Sequence, residues 1–476
     1  MNSESFNEYF LKSYPYEPTS DQIRAIYVLS RFIFTPKEKP LFVLKGYAGT
    51  GKTSIVSTLV NLLPRIGQKA VLLAPTGRAA KVLSNYSGQK AHTIHRRIYF
   101  TRPDSDGAMH ISLQANKFRN AIFVVDEASM IHDAGTKDGL YNRSLLEDLI
   151  TYVYNDQNCK LILIGDHAQL PPVGSDESPA LNLEWLKKSF QVTAGMSEMK
   201  EVVRQAKESG VLMNATALRR KLELNHPALP YFKVSDFSDI VQLPGFELQE
   251  WLETAFNSSD MDGQAVMITR SNKRANRFNQ EIRNRILYRE NKLDAGDHLM
   301  VVKNNYFWLD EEKEGNFIAN GDMIEVLSIN GYDKAHDFNF VNATIKMLDY
   351  PEMQAFDVMI LLDTLDSESP ALTKEQQDKL YSGFMEDLAF LDTKKKKLQT
   401  LRKNPLFNAL QVKFGYALTC HKTQGGQWKY VFVDQGYITE RSLDNAYLRW
   451  LYTAVTRATE KLFLVNFNDD FFEQTD

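Results

Sequence analysis

The chain has 476 residues, 43% hydrophobic and 24% charged, which excludes a wholly disordered, collagen-like or low-complexity protein. The net charge of −4, from 56 basic and 60 acidic residues, argues against a histone-like cationic protein, yet leaves room for a single groove lined with basic and aromatic side chains. Two cysteines, Cys159 and Cys420, exclude a disulfide framework and a cysteine-rich metal site.

At about 150 residues per domain, three domains are expected, some of them subdivided. The start, MNSESFNEYF, has no basic region followed by an apolar stretch, so a secretory signal is not expected. No apolar run approaches the roughly 20 residues that span a bilayer. A cytoplasmic protein without a membrane partner is therefore expected.

Short apolar runs recur, each followed by a polar or glycine-rich turn. They are Leu41–Lys45, Lys69–Ala74, Ala121–Asp126 and Lys160–Gly165, then Gln264–Arg270, Lys429–Asp434 and Lys461–Asn466. Runs of this kind between helical stretches predict buried strands of parallel sheets, in two separate α/β domains. No fixed-period repeat interrupts them, so a solenoid is not expected.

Gly46–Thr53 reads GYAGTGKT and fits G-x-x-x-x-G-K-[ST] in full, between a strand and an apolar helix. Gly46, Ala48, Gly49, Thr50, Gly51, Lys52, Thr53 and Ser54 are the expected phosphate cradle. Glycines let backbone N–H groups turn inward, and the helix N-terminus adds a positive dipole end. Lys52 reaches the β- and γ-phosphates of ATP, and the Thr53 hydroxyl takes Mg²⁺.

One strand later, AIFVVDEAS sets Asp126 and Glu127 at the carboxyl end of an apolar run. Behind a P-loop this is a Walker-B arrangement. Asp126 holds Mg²⁺ through water, and Glu127 orients and deprotonates the attacking water. The alternative is an ordinary strand end followed by an acidic helix cap. The next strand ends in GDHAQLPPVG, where Gln169 is placed to sense a γ-phosphate or the attacking water. His167 is read as a loop histidine without chemistry.

Two stretches look inserted. Arg97–Lys117 holds two strand-like pieces around Pro103-Asp104-Ser105-Asp106-Gly107, a hairpin signal. From about Leu293 to about Pro405, β-type segments around Asn320-Gly321-Asp322 give way to a charged helical stretch. This predicts a small β-barrel with a helical appendage, whose run Lys394–Lys397 is read as a solvated helix face.

Six segments occur in order: GYAGTGKT, APTGRAA (Ala74–Ala80), VVDEAS (Val124–Ser129), GDHAQLPPVG (Gly165–Gly174), TCHKTQGGQW (Thr419–Trp428) and YTAVTRA (Tyr452–Ala458). Together they resemble superfamily 1 DNA helicases of the RecD-like and Dda-like branch, 1B. The resemblance implies two tandem RecA-like P-loop domains with ATP between them, and movement from 5′ to 3′ along single-stranded DNA. It implies a domain 1A over 1–96 and 118–190, a strand-separating pin over 97–117, a domain 2A over 191–292 and 405–476, and an SH3-like β domain over 293–404.

The resemblance also assigns residues. Gln22 is similar to the glutamine that reads adenine, with a plain exposed helix glutamine as the alternative. Arg204 and Arg457 are similar to the arginines that reach the γ-phosphate from the second domain when the cleft closes; surface salt bridges are the alternative. Thr76 and Arg78, Thr93 and His95, and Thr419, His421 and Lys422 suit contacts to the DNA strand, while Gln424 couples it to the nucleotide. Phe100, with Tyr99, is placed on the pin to stack on a base or to pack. The implied function is an ATP-dependent helicase acting on single strands and on single-strand/duplex junctions. A monomer is expected, with accessory replication or repair proteins as possible partners. With 45 residues ahead of Gly46, the extra N-terminal domains of larger relatives are not expected. A nucleic-acid-stimulated P-loop ATPase that switches or remodels without unwinding is the alternative. A small-molecule kinase needs only one α/β domain.

Overall fold

The computed structural model describes residues 1–103, 109–133, 144–155, 158–203, 208–224, 229–258, 263–309, 317–439 and 443–473. The chain begins with α1 (Ser3–Ser13) and α2 (Ser20–Ile33). Each opens on a reciprocal capping box, Asn2 with Ser5 and Thr19 with Gln22, which satisfies two backbone donors apiece.

Strands β1 (Pro40–Gly46), β2 (Lys69–Ala74), β3 (Ala91–Thr93), β4 (Tyr99–Pro103), β5 (Met109–Leu113), β6 (Ala121–Val125), β7 (Lys160–Gly165) and β8 (Thr193–Met199) follow. Six of them form a parallel sheet in the order β3-β2-β6-β7-β1-β8. Helices α3 (Lys52–Leu62), α4 (Gly77–Ser87), α5 (Ile94–Ile98), α6 (Leu145–Tyr154) and α7 (Leu183–Phe190) connect them. β6 and β7 are buried at every position, which explains their unbroken apolar sequences. Alternate residues serve opposite faces: Phe42, Leu44, Ile122 and Val124 pack into one core, Leu41, Val43, Phe123 and Val125 into the other. β4 and β5 form the antiparallel hairpin expected after α5, in register from Tyr99↔Leu113 to Pro103↔Met109. The turn expected at 104–107 lies outside the described residues.

The second sheet is also parallel, in the order β16-β10-β17-β18-β9. It comprises β9 (Ile240–Leu243), β10 (Ala265–Thr269), β16 (Ala417–Thr419), β17 (Trp428–Asp434) and β18 (Ala458–Val465), with α8 (Gly210–Glu223), α9 (Leu248–Asn257), α10 (Asn272–Glu281), α13 (Cys420–Thr423) and α14 (Asn445–Val455). Between α10 and β16 sits a closed barrel of β11 (His298–Val301), β12 (Met323–Ala335), β13 (Phe338–Met347), β14 (Phe356–Leu361) and β15 (Leu410–Phe414). Helices α11 (Lys374–Asp387) and α12 (Lys394–Arg402) pack Leu380, Phe384 and Leu401 against Phe338 and Phe340 at the far end of the β12–β13 ribbon.

Two expected boundaries move. The first sheet runs past 190, because β8 pairs with β1 from Pro40↔Thr193 to Gly46↔Met199. Its sequence TAGMSEM lacks an unbroken apolar run because this edge strand buries only Ser197 and Met199. The barrel runs past 404, because β15 closes it against β11 and β14.

The neck of the barrel is tied by a buried ionic knot. Asp297, fully buried, accepts from Arg283 Nε (3.0 Å) and Nη2 (2.9 Å), Arg289 Nη1 (2.7 Å) and Tyr416 Oη (3.0 Å). Among the described residues no helix is long and apolar enough to cross a membrane.

Candidate nucleotide site between two sheets

The loop from Gly46 to Gly51 joins β1 to α3. Gly51 has φ +84°, and a Cβ there would lie 2.3 Å from Gln22 Nε2, so neither the backbone nor the space admits another residue. Gln22 is 1% exposed, which removes the exposed-helix alternative. Its Oε1 accepts from Thr19 N–H (2.9 Å) and its Nε2 donates to Thr50 O (2.9 Å), so the amide braces the loop from below. Thr50 is fully buried and spends its hydroxyl on Tyr47 O at 2.8 Å. Lys52 Nζ donates to Gly46 O (2.6 Å) and Tyr47 O (2.9 Å). Thr53 is exposed in the first turn of α3, while Ser54 lies against the Tyr14 hydroxyl.

At the end of β6, Asp126 accepts through Oδ1 from Glu127 N–H (2.9 Å) and through Oδ2 from Tyr86 Oη (2.6 Å). Glu127 adopts φ +52°, a left-handed conformation that costs a non-glycine residue and marks functional sites. Its Oε2 is buried and has no hydrogen-bond partner among the described residues. Burial pushes its carboxyl up to about 7, helped by Asp126 and Asp166 and opposed by Arg457 and Lys52. Gln169 is 5% exposed, and its Oε1 also has no partner among the described residues.

Arg457 comes from the second sheet, just after α14. It is 4% exposed and donates to Thr453 O (3.0 Å), Gly426 O (3.2 Å) and Thr456 Oγ1 (3.2 Å), with its charge acting on Glu127. The salt-bridge alternative does not hold for it: among the described residues no carboxylate pairs with it directly. Arg204 lies outside the described residues.

The contacts between the two sheets converge on this place. Tyr452 Oη accepts from Ala48 N–H of the phosphate loop (2.9 Å) and donates to Asp166 Oδ2 (2.6 Å). Thr453 Oγ1 accepts from Leu170 N–H (2.9 Å), and Arg449 donates to the carbonyls of His167 and Gln169. Gln424 Nε2 donates to Leu170 O (2.7 Å). A Cβ at Gly425 would lie 2.7 Å from Ala79 Cβ and 3.6 Å from Glu127 Cγ, so the second sheet touches the Walker-B carboxylate through bare backbone.

The residues expected to meet DNA divide by exposure. Thr76 and Thr93 cap α4 and α5, accepting from Ala79 N–H (3.2 Å) and Arg96 N–H (3.2 Å); Thr93 is 1% exposed and Gln424 5%, so both lie inside the fold. Arg78 is partly buried, its guanidinium 3.8 Å from the Trp428 ring. Burial lowers the His95 pKa to about 4, so this ring is neutral near pH 7. Phe100 is half-buried on β4. Thr419 is part-exposed just before α13, His421 is exposed, and Lys422 Nζ donates to Asn320 Oδ1 of the barrel (2.7 Å). The barrel also meets α5 through Arg96 and the buried Asp322 (3.3 Å).

A family model described as an AAA domain matches residues 33–224, and one described as a UvrD-like helicase C-terminal domain matches residues 414–465. The ATP-dependent RecD2 DNA helicase of Deinococcus radiodurans is 30% identical over 37% of this chain and 21% of its own. The ATP-dependent DNA helicase dda of Enterobacteria phage T4 is 31% identical over 30% of this chain and 31% of its own. The resemblance to superfamily 1B DNA helicases holds. The chain thus spans less than a third of each of these two relatives' length, whereas an uncharacterised mimivirus protein, R530, is 23% identical over 89% of this chain and 94% of its own. A Pif1 helicase from Bacteroides, solved with ADP-AlF3 and ssDNA, aligns over 94% of this chain and 93% of its own at 14% identity, with a TM-score of 0.47.

Sequence reasoning missed Tyr86, Arg449, Tyr452 and Thr453. The signal for two of them was in hand, since Tyr452 and Thr453 open the motif YTAVTRA, where Arg457 alone was weighed. For Tyr86 no local signal exists: its partner is 40 positions away.

Proposed function

We propose that this protein is an ATP-dependent DNA helicase that moves 5′ to 3′ on single-stranded DNA and unwinds duplex ahead of it. The observation that carries the reading is the convergence of Lys52 from the first sheet and Arg457 from the second on the Glu127 carboxylate, against which the Gly425 backbone of the second half also closes. An arginine delivered across a cleft makes hydrolysis depend on how the two halves sit together, as a motor requires.

The residues fit a nucleotide with Mg²⁺. Among the described residues no group of three or more His, Cys, Asp or Glu is placed to hold a metal by itself. Mg²⁺ is commonly held by one or two protein oxygens together with phosphates and water, for which the exposed Thr53 hydroxyl and the twice-anchored Asp126 suffice. When bound there, the ion would offset charge on the β- and γ-phosphates. The loop N–H groups and Lys52 bind the phosphates. Glu127, with one carboxylate oxygen free of hydrogen bonds among the described residues, takes a proton from the attacking water, which Gln169 helps to orient. Arg457, joined by Arg204, stabilises charge on the transferring phosphoryl group. Gln22 reads adenine with the amide capacity that its two contacts leave over.

In this reading the two sheets are RecA-like domains, the barrel is the SH3-like domain, and the β4–β5 hairpin is the pin that parts the strands. Thr76, Arg78, Thr419, His421 and Lys422 hold the DNA backbone, and Phe100 stacks at the junction. The protein works as a monomer on single strands and junctions. The test is unwinding of matched forks bearing one single-stranded tail. Unwinding of the 5′-tailed fork, with ATP and Mg²⁺, is expected; a preference for the 3′ tail refutes the polarity. DNA-stimulated hydrolysis with neither fork opened favours the switch or remodeller.

A further inference from the structure

We propose that Tyr86 is a positioning residue for Asp126, and that through it α4 transmits the placement of the second sheet and barrel to the metal-holding carboxylate. The inference rests on the nucleotide site proposed above.

The phenol lies near the C-terminal end of α4 and donates to Asp126 Oδ2 at 2.6 Å, a short bond to an anionic acceptor. Oδ1 is held by the Glu127 N–H, so the two bonds together fix the plane of the carboxylate.

The other end of the same helix is gripped by the second half of the molecule. Arg78 lies over Trp428 at 3.8 Å, and its Nη2 reaches the carbonyls of Gly263 and Gln427 at 3.4 Å. Lys81 Nζ donates to Leu348 O in the barrel at 2.7 Å. A Cβ on Gly77 would lie 2.4 Å from Asp322 Oδ1, and the Ala79 Cβ is the neighbour that closes against Gly425. Arg78 and Tyr86 are eight residues apart, about 12 Å along a stiff helix. A shift of the barrel or the second sheet that drags the first turns of α4 therefore moves the hydroxyl against Asp126.

Tyr86→Phe keeps the ring and removes the bond. The affinity of the purified full-length protein for a fluorescent ADP analogue is measured in EDTA and across a Mg²⁺ titration, beside Asp126→Asn. Affinity in EDTA should match wild type. The Mg²⁺ concentration for the half-maximal gain should rise about tenfold, the ratio expected for losing one charge-assisted bond. Stimulation of hydrolysis by single-stranded DNA should fall several-fold at saturating Mg²⁺. A wild-type Mg²⁺ titration, a wild-type stimulation ratio, or an equal loss of affinity with and without Mg²⁺ each overturns the proposal. Asp126→Asn keeps this failure separate from failure of the site itself: if that variant retains the full Mg²⁺ gain, Asp126 does not hold the metal and the nucleotide-site reading falls.

Discussion

Replacing Asp297 with Ala removes the centre of the knot at the barrel's neck. Arg283, 2% exposed at its side chain, loses both bonds to the carboxylate and, among the described residues, keeps hydrogen bonds to Asn291 O (2.9 Å) and Asp294 Oδ2 (3.2 Å). Arg289 is 21% exposed and can turn to water. Stripping one partner from a buried ion pair costs about 3–5 kcal/mol, and the remaining Asp294 contact places this case near 3 kcal/mol. That corresponds to roughly a hundredfold in a local opening equilibrium. Native-state hydrogen exchange reads it directly. Amides of the β11–β15 ladder, around Leu299, Met300, Val412 and Phe414, should lose about two decades of protection, while β6 and β7 in the first sheet stay unchanged. The pair Asp297→Leu with Arg283→Met should recover most of the loss, because an apolar pair of similar volume replaces an ionic one at little cost. Undiminished protection in β11 and β15, or a loss spread equally over both sheets, would refute the argument that the knot secures the neck.

Lys52→Ala should lower ATP turnover by orders of magnitude while leaving single-stranded DNA binding intact, as steady-state hydrolysis and fluorescence anisotropy would show. Glu127, with its carboxyl raised to about 7 in the free protein, becomes the proton acceptor only as pH climbs through that value, so kcat/KM should rise across neutrality. The folded protein also keeps a proton that the unfolded chain releases above the ordinary 4.5, so this group weakens stability as pH rises from 4.5 to about 7; Glu127→Gln should remove both trends, in pH–rate profiles and in urea melts. Removing Pro103–Met109 and rejoining the strands should leave DNA-stimulated hydrolysis in place and reduce fork unwinding; a joint loss of both activities would mean that the hairpin only supports its domain.

What could be read from the residues follows from how each part is stabilised. β1, β6 and β7 are buried on both faces, so their apolar runs stand out and the phosphate loop and Walker-B pair are found at their ends. β8 escaped because an edge strand needs only one partly buried face, and its mixed sequence shows no apolar run. β16 is three residues long, too short for any period to show. Thr93 was a reasonable DNA contact by residue type, but unlike the part-exposed Thr76 it is buried where its hydroxyl caps α5, which only the folded backbone reveals. The Tyr452 bridge depends on two sheets meeting, and neither sheet's own sequence encodes the partner's position.

Arg449, Tyr452 and Thr453 stand on one stripe of α14, at spacings of three and four, and Arg457 follows at the next turn. The first three are aimed by the rod itself, and Arg457 sits in the turn that directly follows it. Each residue added to or removed from an α-helix turns everything beyond it by about 100°. A single-residue insertion between Arg449 and Tyr452 would therefore carry the hydroxyl away from Ala48, the threonine away from Leu170 and the guanidinium away from Glu127 in one stroke. The length of this helix is therefore held as tightly as its buried residues.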